Sequence, residues 1–167
     1  NSASRGAMPS ISILMPTKDR IELLLETLDS VTEQEYPPDE VVIIDQSAED
    51  CGDLIRARFE TSPEIDLQYI WDPSIPGLVP ARIVGVERAT SDVVFFIDDD
   101  ITLNLDCVGK LAQRYADNPV LLGLCAVDID GADIPWWVVI ARKSYMLGPF
   151  NDDRSITNKR YKTLTET

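Results

Sequence analysis

The chain has 167 residues, of which 44% are apolar and 26% charged, with a formal net charge of −14, so it can bury a core without disulfide support. That charge excludes general electrostatic binding to nucleic acid or to an anionic membrane surface, and no apolar run approaches the length of a membrane span. There is no histidine, and Cys51, Cys107 and Cys125 lack CxxC spacing, so a zinc site and a disulfide framework are excluded too; any metal would be held by oxygen, which favours Mg²⁺, Mn²⁺ or Ca²⁺.

The opening NSASRGAM is polar, and residues 1–8 read as an appended, disordered remnant. ISILM (11–15) reads as a strand ended by Pro16. Asp19 with Glu22 forms a capping-box pattern, and Ile21, Leu24, Leu28 and Val31 follow at helical spacing, predicting a helix over 20–34. Pro37 and Pro38 stop it. EVVIID (40–45) is a second strand, and Ser47 with Asp50 forms another capping box that opens a helix to about Phe59. LQYIW (67–71) is a third strand. Pro73, Pro76 and Gly77 mark a loop before a helix from Pro80 to Ala89, where Pro80 is tolerated in the first turn. VVFFI (93–97) is a fourth strand, 106–117 a helix and LLGLCAV (121–127) a candidate fifth strand. After residue 130 the periodicity weakens. Strands alternating with helices predict an α/β fold: a Rossmann-like, mainly parallel sheet flanked by helices. The second and fourth strands lack polar alternation and are expected to be central, buried on both faces.

Open α/β sheets bind ligands beyond the carboxyl ends of their strands, where the strand order reverses. Polar residues gather at those ends: Thr17, Lys18 and Asp19 after the first strand, Asp45 and Gln46 after the second, Asp98, Asp99 and Asp100 after the fourth. If the first and fourth strands are neighbours, two of these sets share a crevice. Three adjacent carboxylates repel one another and need a cation, donors or solvent. On an extended backbone Asp98 and Asp100 project to one side and Asp99 to the other. Such a pair suits Mg²⁺, which takes one or two protein carboxylates and completes its shell with water and phosphate. Blander roles stand beside these: a solvated turn for the triple, a turn cap for Asp45, a surface position for Arg82, a half-buried pair for Trp136 and Trp137. GxGxxG and GxxxxGK[ST] are absent, and so is the acidic pair that a receiver-type phosphoacceptor domain needs after its first strand.

Three segments share an order and spacing with a known family. SILMPTKDRIELLLETLDSV, PPDEVVIIDQSAED, and GLVPARIVGVERATSDVVFFIDDDI with its terminal acidic triple together resemble the inverting family 2 glycosyltransferases, over about residues 10 to 130. The resemblance implies a GT-A fold that binds a nucleotide-sugar, and transfer of the sugar to an acceptor hydroxyl with inversion. It implies that Asp98 and Asp100 are the aspartates of a DxD motif, with Asp100 and Asp98 as ligands of Mg²⁺ or Mn²⁺. It places Thr17, Asp45, Arg82, Asp98 and Asp99 at the nucleotide-sugar, with Asp45 accepting from the base and Arg82 near base and phosphates. The implied donors are UDP-, GDP- or dTDP-sugars, and the acceptors are glycan, lipid-linked or small molecules. The implied location is cytoplasmic, or peripheral at the membrane in a longer protein. Lys18, Asp19, Gln46 and Ile83 depart from the family pattern. The family's acidic catalytic base is not identifiable among Asp128, Asp130, Asp133, Asp152 and Asp153. Residues 9–130 are therefore expected to form the donor-binding core and 131–167 the start of an acceptor-side region, with poor transfer by this chain alone. A non-catalytic scaffold of the same fold is the main alternative. A sugar nucleotidyltransferase is weaker, for want of a glycine-rich loop after the first strand.

Overall fold

The computed structural model describes residues 8–118, 121 and 123. Four strands alternate with four helices: β1 (Ile11–Thr17), α1 (Ile21–Thr32), β2 (Glu40–Asp45), α2 (Gly52–Phe59), β3 (Asp66–Trp71), α3 (Leu78–Arg88), β4 (Val93–Phe96) and α4 (Cys107–Asp117). The sheet order is β3-β2-β1-β4 and every pairing is parallel. Thr17, Asp45 and Trp71 lie opposite one another, so three strands end level. The order reverses between β1 and β4, which makes the expected neighbours real.

Residue parity along β1 and β2 divides the core. Ile11, Ile13, Met15, Val41 and Ile43 pack with Leu24, Leu28 and Val31 of α1, Ile55 and Phe59 of α2, and Val108 and Ala112 of α4. Leu14, Val42 and Ile44 face the other way, against Ala81 of α3. The close approach of α3 is set by Gly85: a Cβ there would stand 2.5 Å from Leu14 Cδ1. Both faces of β1 and β2 are thus covered, which explains the apolar runs at residues 13–15 and 41–44.

Pro16 lies inside β1, not after it. The carbonyls of Ile11 and Thr17 accept from Asp39 and Gln46 on the β2 side, while that of Leu14 accepts from Ile97 on the β4 side. Even-numbered residues therefore bond toward β4. Its pairing with β1 ends at Phe96, opposite Leu14. The nitrogen of Pro16 falls beyond that point, so its missing N–H breaks no ladder bond.

β4 departs from expectation more clearly. Among the described residues it pairs with β1 alone, at the sheet edge, and Phe96 is 44% exposed. An apolar run of this length does not distinguish a central strand from an edge strand. Of the candidate strand at 121–127 only residues 121 and 123 are described, neither of them in a strand, and the rest of it and the tryptophans at 136 and 137 lie outside the described residues.

Neither capping box forms. The residue before α1 is Arg20 and the residue before α2 is Cys51, and neither helix has a side-chain cap bond. Instead the loops after β1 and β2 bond to each other. Asp19 N–H donates to Ser47 Oγ at 2.7 Å, and Ala48 N–H donates to the Asp19 carboxylate at 3.0 Å. Asp19 adopts φ 53°, a left-handed conformation that aspartate tolerates better than most residues. Asp50 accepts the Gly52 N–H at 2.8 Å in an Asx-type turn. The amino end of α4 is served from a distance: Gln34 Oε1 accepts the Val108 N–H at 3.0 Å, while its amide donates to the Asn104 carbonyl at 2.8 Å.

At the amino end of the sheet, the buried Glu40 accepts from the Ser12 hydroxyl, the Gln68 amide, and both the N–H and hydroxyl of Thr90. Burial alone would raise its pKa, but these donors together outweigh burial and hold the carboxyl below its ordinary value.

Candidate functional site

The carboxyl ends of β1 and β4, with the loops after β1 and β2 and the start of α3, enclose a cleft of about 490 Å³. Its lining includes Thr17, Lys18, Asp19 and Arg20 from the β1–α1 loop, Gln46 after β2, Gly77 and Leu78 at α3, and Asp98, Asp99 and Asp100 after β4.

The acidic run does not rely on solvent alone. Asp99 is 6% exposed and accepts the Thr17 hydroxyl at 2.7 Å. Arg20 Nη1 lies 3.3 Å from Asp99 and 3.1 Å from Asp100. Arg82 Nη2 lies 3.0 Å from Asp98. Each carboxylate thus meets a donor, and two cations divide the three charges. Asp98 and Asp100 are exposed while Asp99 is buried, so the expected alternation appears in burial. The cause is different: Asp99 and Asp100 sit in a turn, not on an extended strand.

Arg82 lies against the ring of Phe96, with its guanidinium carbon 5.8 Å from the centroid. Its buried Nε–H has no hydrogen-bond acceptor among the described residues.

Thr17 and the acidic run line the cleft; Arg82 does not line it and meets it through its ion pair with Asp98, and Asp45 is placed differently again. It is 1% exposed and does not line the cleft. One oxygen accepts the Ser47 N–H at 2.8 Å and the other faces the Tyr69 hydroxyl at 2.8 Å. That hydroxyl also lies 2.9 Å from Asp50, and burial together with the two carboxylates raises the phenol's pKa well above its ordinary value. The neighbouring Gln46 does line the cleft, and its Oε1 accepts the Gly77 N–H at 3.0 Å. Gly77 has φ 92°, where a side chain would be strained. With Oε1 engaged, the Gln46 amide group is left as a donor. Sequence reasoning placed Gln46 at a strand end but gave it no binding role, and it missed Arg20 as a cleft residue. The signals were a polar residue directly after a strand-end aspartate, and a cation outside the apolar stripe of α1, three residues after Thr17.

Among the described residues no three His, Cys, Asp or Glu side chains converge as a metal cage. The available donors are the two exposed carboxylates of Asp98 and Asp100. They are hard oxygen ligands, and they fit a cation that draws the rest of its shell from phosphate and water.

A parallel α/β sheet with a polar cleft at its switch point is shared by several fold classes, and solved structures place this one in the GT-A class. The mannosyltransferase PcManGT from Pyrobaculum calidifontis, in complex with GDP-Man and Mn²⁺, superposes with a TM-score of 0.58 at 28% identity, covering 66% of this chain and 33% of that one. TarS from S. aureus superposes with a TM-score of 0.63 at 22% identity over 75% of this chain and 23% of that one, a likeness of fold. The chain belongs to glycosyltransferase family 2: the family's profile, Glycosyl transferase family 2, matches residues 12–163. A glucosyl-dolichyl phosphate glucuronosyltransferase of Haloferax volcanii is 33% identical over 134 residues, covering 80% of this chain and 40% of the relative. An N-acetylglucosaminyltransferase of Rhizobium meliloti is 23% identical over 154 residues, covering 91% of this chain and 36% of the relative. The chain therefore spans well under half the length of these relatives.

Proposed function

We propose that this chain is the donor-binding part of a glycosyltransferase that moves a sugar from a nucleotide-diphosphate-sugar to an acceptor hydroxyl, with inversion. The observation that carries the reading is the meeting of an acidic turn and two arginines at the switch-point cleft, in a member of family 2. Support for the donor class comes from the GDP-Man and Mn²⁺ of the Pyrobaculum mannosyltransferase and the UDP-GlcNAc of TarS. The names of two relatives, one a dolichyl phosphate enzyme and one an undecaprenol enzyme, support a lipid-linked acceptor. A cytoplasmic enzyme, peripheral at the membrane, would meet such an acceptor; among the described residues no helix is long and apolar enough to cross a bilayer.

Asp100 and Asp98 would hold Mg²⁺ or Mn²⁺, whose chemistry is to neutralise the charge that develops on the diphosphate leaving group. Arg82, held against Asp98 at the cleft, would bring its guanidinium charge near the phosphates or the base. Thr17 fixes Asp99, which in turn orients Arg20. Gln46 takes the place at the base that the sequence suggested for Asp45, since Gln46 reaches the cleft and Asp45 is enclosed.

Calorimetric titration of UDP, GDP and dTDP, with and without Mn²⁺, tests the reading. One nucleotide is expected to bind only with metal, and Asp100→Ala to weaken it by about tenfold or more. Absence of metal-dependent binding for all of them would overturn the donor-site assignment.

A further inference from the structure

The ion pairs of the cleft join the two kinds of charge that a metal–diphosphate ligand itself brings. Arg20, just before α1, reaches Asp99 at 3.3 Å and Asp100 at 3.1 Å, and Arg82 of α3 reaches Asp98 at 3.0 Å. The Arg20 side chain is 52% exposed and that of Asp100 46%, so this pair is open to exchange. The Thr17–Asp99 hydrogen bond is buried by comparison.

The geometry points to Arg20 as a charge-exchange residue of the donor site. It neutralises Asp100 in the unliganded protein, and it turns to the diphosphate when a divalent cation takes Asp100. The inference rests on the donor-site reading above and adds to it a residue and a coupling. A cation arriving alone must displace Arg20 from Asp100 and then sit beside a guanidinium that has lost one of its two carboxylates. A diphosphate arriving alone must strip Arg20 from Asp100, leaving exposed carboxylates to repel both each other and the phosphates. When cation and diphosphate arrive together, each charge exchanges one partner for another and none is left unpaired. The two ligands therefore bind as a coupled pair, and by linkage each raises the affinity for the other by the same factor. Arg20 keeps its hold on the buried Asp99 throughout, so its guanidinium pivots and does not leave the cleft.

The competing account is a static surface ion pair that merely stiffens the acidic turn. The two accounts differ in sign. A brace predicts that removing Arg20 loosens the turn and weakens every ligand. Exchange predicts opposite changes for the cation alone and for the nucleotide.

The test uses the full 167-residue chain and its Arg20→Gln and Arg20→Lys variants. Binding of Mn²⁺ alone is read from the electron paramagnetic resonance signal of the free ion. Binding of UDP, GDP and dTDP in saturating Mn²⁺ is read by calorimetry. Arg20→Gln is expected to bind Mn²⁺ alone about threefold to tenfold more tightly. It should bind the preferred nucleotide about tenfold more weakly. Arg20→Lys, which keeps the charge and loses the fork, is expected to fall between on both counts. Mn²⁺ binding that is unchanged or weaker in Arg20→Gln, or nucleotide binding that is unchanged, overturns the exchange. If the wild-type chain still shows metal-dependent nucleotide binding in that case, the donor site stands and only the exchange is lost. If the wild-type chain binds no nucleotide with metal, the donor-site reading falls and the exchange falls with it.

Discussion

Asp99 is the aspartate that spacing alone explains least, and it is the one that the fold buries. Its oxygens meet the Thr17 hydroxyl and Arg20, while Asp98 and Asp100 remain exposed. Thr17→Val keeps the shape and removes the donor. A buried carboxylate that loses one charge-assisted hydrogen bond costs about 1–3 kcal/mol. Urea denaturation of Thr17→Val is therefore expected to show a lower midpoint with an unchanged slope, and Thr17→Ser, which retains the hydroxyl, to lie near the wild type. Equal midpoints for Thr17→Val and the wild type would remove Thr17 as an anchor of the acidic turn. The carboxylates themselves were legible in the sequence because so many charges abut an apolar strand. Which of them turns inward was not, because that depends on a turn beginning within three residues of Phe96 and on a hydroxyl 82 residues away in the chain. The enclosure of Asp45 beside a Gln46 that lines the cleft has the same origin. Strand parity and the Ser47 and Tyr69 donors turn Asp45 into the protein, which no local pattern encodes.

The elements of the sheet were legible because burial on two faces imposes a simple demand. The middle of β1 and β2, which packs against α1 on one face and α3 on the other, must be apolar, and residues 13–15 and 41–44 are. The helix starts were less legible. Asp19, Ser47 and Asp50 have the residue types of N-caps, but two of them bond across the loops at the cleft and the third makes a turn within its own. Local capping lost to a tertiary bond that shapes the site. Gly85 states a demand of its own. It lies on α3 where the helix meets Leu14, and any Cβ must displace a fully buried leucine. Gly85→Val adds overpacking, which costs about 1–3 kcal/mol, without the full helix-propensity gain of about 1 kcal/mol that alanine would bring. A loss of about 2 kcal/mol in chemical denaturation is expected, with Gly85→Ala affected less. Because α3 carries Arg82, the same variant is expected to weaken nucleotide binding. A Gly85→Val chain as stable as the wild type would show that α3 can move off β1 without cost.

At the scale of the whole molecule, the parallel sheet has two chemically distinct ends. The carboxyl end collects carboxylates and arginines in an open cleft; the amino end encloses one carboxylate, Glu40, in a set of neutral donors. The first arrangement leaves charges exchangeable and the second locks one in place. Glu40 was read from the sequence only as the first residue of the second strand, since its donors Ser12, Gln68 and Thr90 come from three separate segments. Its folded-state pKa lies below the ordinary value of 4.5, because the donors outweigh burial. A depressed folded pKa means that the unfolded chain takes up the proton first as pH falls. The stabilisation from Glu40 is therefore fully present above the unfolded pKa and is lost as pH drops through the lower folded value. Other carboxyls act in the same direction: Asp50 is held low by the Gly52 N–H, Asp72 by the Ser74 hydroxyl, and Asp92 by the Ser10 N–H. They are exposed, so solvent screening reduces their share. Denaturation midpoints measured from neutral pH down through the glutamate range are expected to fall below about pH 5. Glu40→Gln is expected to be less stable at neutral pH and to show a flatter decline, since it carries no proton-linked term at that position. A Glu40→Gln decline as steep as the wild type's would assign the acid sensitivity to the surface aspartates and leave Glu40 a neutral hydrogen-bond hub.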